Sequence, residues 1–327
     1  MNKRLEPIIR NKQPHRMILL AAAALLLPGG CEEEQQPAGD APPKTGRPVV
    51  YTTFYPTTYF VERIAGDRVD VVCPCPADAD PAYWMPDDET IKAYQAADLV
   101  VVNGASFEKW LEAVSLPESR LVNTAKPLAG ELITLPDAVS HSHGPGGAHA
   151  HAGIDGHTWL DPVSARTQAG QIRDALIAAF PAEKEAFRQG YQALAADLDA
   201  LDLRLKALTA KMPDQVLLNS HPAYNYLARR YGWKVKYFHL DPEQMPDDGT
   251  MAEVGAFLAE QPAKLMLWEA QPAEKIAKRF QEQFGVESVV YSPGESLAAE
   301  QRRAGMDFLA LLNQNVTRLA EALGQSG

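Results

Sequence analysis

The sequence predicts an α/β protein in which two doubly wound α/β patterns are joined by one long helix, and two observations predict it. Short, continuously apolar strands alternate with helix-spaced segments on both sides of the chain's middle, and between them residues 180–212 carry helical spacing throughout. Strands that are apolar at every position belong to parallel sheets covered on both faces by helices. Of the 327 residues, about 280 follow the N-terminal segments, enough for two domains of ordinary size.

The elements follow in order. Lys3, Arg4, Arg10, Lys12 and Arg16 form a basic leader, and residues 17–27 are an unbroken apolar run ending in Pro28-Gly29-Gly30-Cys31. Residues 1–30 read as a secretory signal peptide, too short in its apolar part for a mature transmembrane helix. The small residues before Cys31 resemble a bacterial lipobox, which makes Cys31 the expected lipidation site and new N-terminus; Pro28 departs from that pattern. Residues 31–47, rich in Glu, Gln, Pro, Gly and Ala, read as a flexible tether. An N-terminal α/β lobe is expected over 48–178. It has strands at 49–53, 69–72 and 99–104, helices at 57–65 and 88–97, and a helix opening near Pro162.

Residues 140–156 place His141, His143, His149 and His151 among Gly, Ala, Ser and Pro. With no apolar period, this loop is expected to be disordered without ligand and to act as an accessory metal collector. Phe187, Tyr191, Leu194, Leu198, Leu201, Leu205 and Leu208, spaced by three or four, mark the connecting helix within 179–212. At ~1.5 Å per residue it spans about 45 Å. The second lobe, 213–327, repeats the alternation: strands 215–220, 234–238, 264–268 and 288–291, helices 224–231, 251–260 and 273–284, and one final helix over 300–323.

The whole chain carries 31 basic and 42 acidic residues; without residues 1–30 it carries 26 and 41, a net charge of −15. Such a surface repels nucleic acid and favours cations through its long-range field. No His-Glu-x-x-His pair, nucleophile elbow or Gly-rich phosphate loop occurs, which argues against an enzyme, although two histidines with carboxylates could activate water in a zinc hydrolase. Besides Cys31 the cysteines are Cys73 and Cys75 in Val72-Cys73-Pro74-Cys75-Pro76. A disulfide across one intervening residue would be strained.

Two isolated histidines stand in sharply punctuated segments: His157 in Gly156-His157-Thr158-Trp159-Leu160-Asp161-Pro162 and His221 in Asn219-Ser220-His221-Pro222-Ala223-Tyr224. His221 follows the carboxyl end of a strand, where open α/β sheets present ligand-binding residues. Imidazoles suit Zn(II), with Mn(II) or Fe(II) as alternatives if carboxylates complete the shell; a core histidine satisfied by a backbone carbonyl is the other reading of each.

Four stretches carry a resemblance: Ala97-Asp98-Leu99-Val100-Val101-Val102-Asn103-Gly104 with Phe107-Glu108-Lys109-Trp110-Leu111, His157-Thr158-Trp159-Leu160-Asp161-Pro162, Ser220-His221-Pro222-Ala223-Tyr224, and Leu267-Trp268-Glu269. The chain resembles the zinc/manganese-type solute-binding lipoproteins of bacterial ABC importers. The resemblance implies a metal cleft between two lobes, with His157 and His221 as ligands from opposite lobes. It further implies a monomeric, extracytoplasmic lipoprotein, periplasmic or at the cell surface. A membrane-bound permease and its ATPase would receive the metal. A metal-dependent adhesin or a metal-buffering lipoprotein is the alternative.

The chain departs from the family pattern at two places. Ala82, in Asp78-Ala79-Asp80-Pro81-Ala82, stands where the family carries a histidine, and Ser292-Pro293 stands where many relatives carry Asp-Pro. The donors expected to complete the site are Asp80 and Glu269, the latter as ligand or as orienting acceptor for a histidine. Asp78, His239 and Cys75 follow, then Cys73 and Glu295.

Overall fold

The computed structural model describes residues 46–142, 148–212, 214 and 216–324. The signal peptide, Cys31, most of the tether and His143 lie outside the described residues. Arg47, the last residue of the expected tether, already contacts the body: it pairs with Asp70 at 2.5 Å, one residue before the expected start at 48.

The first half forms β1 (Val49–Thr52), α1 (Tyr55–Ala65), β2 (Asp70–Val72), α2 (Asp88–Ala96), β3 (Leu99–Val102) and β4 (Leu121–Asn123). A hairpin, β5 (Thr134–Ser142) and β6 (Ala148–Ile154), precedes the helices α3 (Pro162–Ala179) and α4 (Lys184–Thr209). The second half forms β7 (Val216–Asn219), α5 (Asn225–Tyr231), β8 (Lys234–Tyr237), α6 (Asp248–Glu260), β9 (Ala263–Trp268), α7 (Glu274–Phe284), β10 (Glu287–Val290), α8 (Ala299–Arg303) and α9 (Phe308–Ala322). Two four-stranded sheets result, ordered β2-β1-β3-β4 and β10-β9-β7-β8, and every pair within them is parallel. This is the two-lobed, doubly wound α/β architecture expected. The central strands β3 and β7 are buried at every position, as sheets covered on both faces require.

Local chemistry sets the helix starts. Asp87 accepts a hydrogen bond from the Thr90 amide at 2.8 Å to cap α2, and Asp161 accepts one from the Val163 amide at 3.1 Å to cap α3. Pro162 fits the first turn of α3, where no amide is needed. The 26-residue α4, roughly 40 Å long at ~1.5 Å per residue, buries Phe187, Leu194, Leu198, Leu201, Leu205 and Leu208 along one stripe against α1, α3 and α9. One apolar core runs from Val50 and Val101 of the first sheet through this stripe to Leu217, Leu267 and Val289 of the second.

Three expectations need correction. The connecting helix does not run unbroken from residue 180: a 3-10 turn at Pro181–Glu183 precedes α4. The final helix is two helices, α8 and α9, parted at Gly305, whose φ of +81° lies outside the helical region. The histidine-rich segment is not structureless: Val139 pairs with His151, Ser140 with Ala150, and His141 with His149 in antiparallel register. Strand pairing needs only backbone amides and carbonyls in register, which residues with no apolar period supply as well as others. Among the described residues no helix is long and apolar enough to cross a membrane.

Candidate metal centre

The carboxyl ends of β3 and β7 open onto a common cavity of about 430 Å3, whose wall includes His157, His221, Glu269, Glu295, Asp80 and Ala82. His157 and His221 are both 5 % exposed, and their rings face each other with centroids 5.3 Å apart, nearly perpendicular at 77°. The two histidines singled out in the sequence are therefore brought together.

The frame that holds His157 is polar and buried. Glu108 accepts hydrogen bonds from the Thr53 hydroxyl (2.6 Å) and the Asn103 and Gly104 amides (2.6 and 3.1 Å), fixing the turn after β3. Burial pushes its carboxyl upward, against the lowering effect of those donors. Asn103 then donates from Nδ2 to the Gly156 carbonyl at 2.9 Å, immediately before His157. Phe107 and Trp159 pack on the imidazole, with centroids at 6.4 and 5.2 Å.

Both ring nitrogens of His157 meet carboxylates. Asp155 Oδ1 accepts from the His157 amide at 3.0 Å and lies 2.8 Å from Nδ1, while Glu295 Oε1 lies 3.2 Å from Nε2. Burial alone would lower the imidazole pKa, but hydrogen bonds and charge from Asp155 and then Glu295 outweigh it and raise the pKa to about 10. Asp155 is itself clamped from the other half of the chain, its Oδ2 accepting from Asn225 Nδ2 at 2.9 Å and its carbonyl from the Tyr226 hydroxyl at 2.8 Å. His221 follows β7, and its Nδ1 lies 3.5 Å from Glu269 Oε2. Each imidazole thus has a carboxylate at Nδ1, the arrangement that fixes tautomer and orientation of metal-binding histidines.

Glu295 sits on a loop strapped to the first lobe. Its carbonyl accepts from the Tyr55 amide at 3.2 Å, and the Trp159 indole donates to the Pro293 carbonyl at 2.9 Å. Asn315 closes the loop from α9, accepting from the Ser292 amide at 3.1 Å and donating to its carbonyl at 2.7 Å.

The remaining sequence candidates are dispersed. Asp80 is half-buried in the cavity wall, with Oδ1 accepting from the Ala82 amide at 2.9 Å, and Asp78 is exposed at the rim. His239 packs against Tyr237, centroids 5.3 Å apart, and is not part of the cavity wall. Cys73 and Cys75 are free and line an adjoining cavity; burial, then the charges of Cys73, Asp80 and Glu295, push the Cys75 thiol up to about 12. His141, His149 and His151 lie on the hairpin backbone. Among the described residues no three His, Cys, Asp or Glu side chains are placed so that, as they stand, they could together hold a metal ion. What the cavity offers is two oriented imidazoles with Glu295 against one of them. Sequence reasoning missed Asp155 and ranked Glu295 last; the one local signal for Asp155 was an acidic residue two positions before His157.

The model of the family described as "Zinc-uptake complex component A periplasmic", ZnuA, matches residues 50–322. The chain belongs to this family. It is 29 % identical over 288 residues to the zinc-binding lipoprotein AdcA of Streptococcus pneumoniae serotype 4, covering 86 % of this chain and 57 % of that one. The chain thus spans little more than half of that relative's length. It is 28 % identical over 294 residues to the high-affinity zinc uptake system protein ZnuA of Bacillus subtilis, covering 87 % of this chain and 90 % of that one. Among solved structures, the Zn(II)-bound ZnuA-like domain of the Streptococcus pneumoniae AdcA matches with a TM-score of 0.73 at 26 % identity, over 86 % of this chain and all of that one. The zinc-uptake family is one of solute-binding components, not of enzymes.

Proposed function

We propose that this chain is an extracytoplasmic receptor that captures one Zn(II) ion between its lobes and delivers it to the permease and ATPase of an ABC importer. Residues 1–30 direct export, Cys31 carries the lipid, residues 31–47 tether the body, and lobes 48–178 and 213–327 hold the metal across the connector 179–212. The observation that carries the reading is the pair of carboxylate-backed imidazoles, Asp155 to His157 and Glu269 to His221, facing each other across one cavity. The names of the similar zinc-binding proteins support zinc as the cargo.

Capture follows from the geometry. His221 would offer Nε2 to the metal while Glu269 steadies Nδ1. His157 would offer Nε2 once Glu295 turns from it, and Glu295 then supplies a carboxylate oxygen. Two nitrogens and one oxygen leave a fourth position for water or for Asp80, the tetrahedral number Zn(II) prefers. Ala82 leaves the family's additional histidine absent, so Glu295 takes on a larger share of the binding.

Elemental analysis of the purified chain tests this. One zinc per chain is expected for the wild type and none for His157→Ala/His221→Ala. Cells lacking the chain should fail to grow under zinc limitation unless the wild type, and not the double variant, is restored. Undiminished zinc in the double variant would refute the reading.

A further inference from the structure

The segment linking β2 to α2 carries two thiols that the histidine cleft does not use. Cys73 immediately follows β2, and Pro74 restricts the backbone between it and Cys75. Both side chains are half-buried, neither is in a disulfide, and both line one cavity of about 270 Å3. Phe54, Tyr55 and Leu297 supply the large apolar side chains of the wall. Arg302 also lines it, held with its guanidinium 4.5 Å from the Tyr55 ring centroid and its Nε donating to the Leu297 carbonyl at 3.3 Å. Glu295 belongs to this wall and to that of the histidine cleft, so the two cavities share it.

We propose that Cys73 and Cys75 form a second metal site, distinct from the histidine cleft, that takes a thiophilic d10 monocation of the Cu(I) class as a bis-thiolate. Soft thiolates select Cu(I), which accepts low coordination numbers, whereas the imidazoles and carboxylates opposite suit Zn(II). Two sulfur donors on one short segment match a two-coordinate ion and fall short of the four that Zn(II) prefers. Two thiolates and one monocation leave a single negative charge, and the wall offers Arg302 as a counter-cation alongside the acidic Glu295. Binding forms two sulfur–metal bonds, breaks two S–H bonds and releases two protons to solvent, with no electron transferred.

The test is an anaerobic titration of the reduced mature chain with Cu(I) against a competing chelator, with zinc stoichiometry read separately. Wild type and His157→Ala/His221→Ala should each hold one Cu(I). Cys73→Ser/Cys75→Ser should lose it while keeping its zinc and its circular dichroism spectrum. Each single serine variant should weaken Cu(I) binding by at least the roughly 10–100-fold that losing an outer-shell partner costs. Should the double variant misfold, the single variants decide. Cu(I) retained without the cysteines, lost with the histidines, or never bound would overturn the site. Because zinc is read separately, failure here is distinguishable from failure of the zinc cleft.

Discussion

His157 is the residue whose protonation the site controls. With Asp155 at Nδ1 and Glu295 at Nε2, the metal-free imidazole is a cation between two anions, and its pKa is raised to about 10 from the ordinary 6.5. A pKa raised on folding adds stability that is fully present below the unfolded value and lost as pH climbs through the folded one. The metal-free protein should therefore lose stability between pH 6.5 and about 10. Thermal denaturation across that window should show His157→Gln lacking this component, and a wild-type slope equal to that of the variant would contradict the account. Under the proposed function, metal capture would displace the same proton from Nε2, so zinc and protons would compete at one atom. The two histidines were legible in the sequence because punctuating Gly, Asp and Pro set them apart. Asp155 was not and Glu295 ranked last, because their roles come from contacts across the fold: Asn225 and Tyr226 clamp the first, and Tyr55 and Trp159 hold the loop of the second.

The elements that present these residues were mostly readable, because apolar strands such as Leu99–Val102 and Val216–Asn219 declare a buried parallel sheet. The errors fell where apolar periodicity is silent. The histidine hairpin is paired through its backbone, and one glycine ends a helix that the apolar spacing would continue. A second glycine has a functional consequence. Gly294 bends the loop ahead of Glu295 with φ +73°, and a Cβ there would meet the Phe308 ring at 3.2 Å. Gly294→Ala should therefore cost about 1–2 kcal/mol in backbone strain alone, with added crowding, and should weaken zinc binding by displacing Glu295. Gly305→Ala, at φ +81° with nothing within 4 Å, should lose similar stability and keep its zinc affinity. Denaturation and zinc titration of the two variants check this; equal zinc affinities would show that the loop does not position the site.

The whole molecule is built to hold two lobes at a nearly fixed separation. The apolar core passes unbroken from one sheet to the other along α4, and α9 leaves the second lobe to set Phe308 against Tyr59 and Phe60 of the first, each with centroids 5.6 Å apart. Links such as Arg230 to the buried Asp161, at 2.8 and 2.5 Å, add polar ties between the halves. The proposed capture would then be a matter of side chains such as Glu295 turning within a standing cleft, with little lobe closure expected. The central claim is that one zinc bridges His157 and His221 with a carboxylate oxygen. X-ray absorption at the zinc edge of the loaded chain measures it most directly. The account predicts a nitrogen and oxygen shell at ~2.0–2.1 Å with imidazole outer scattering that disappears in His157→Ala/His221→Ala, whereas a sulfur shell at ~2.3 Å would contradict it.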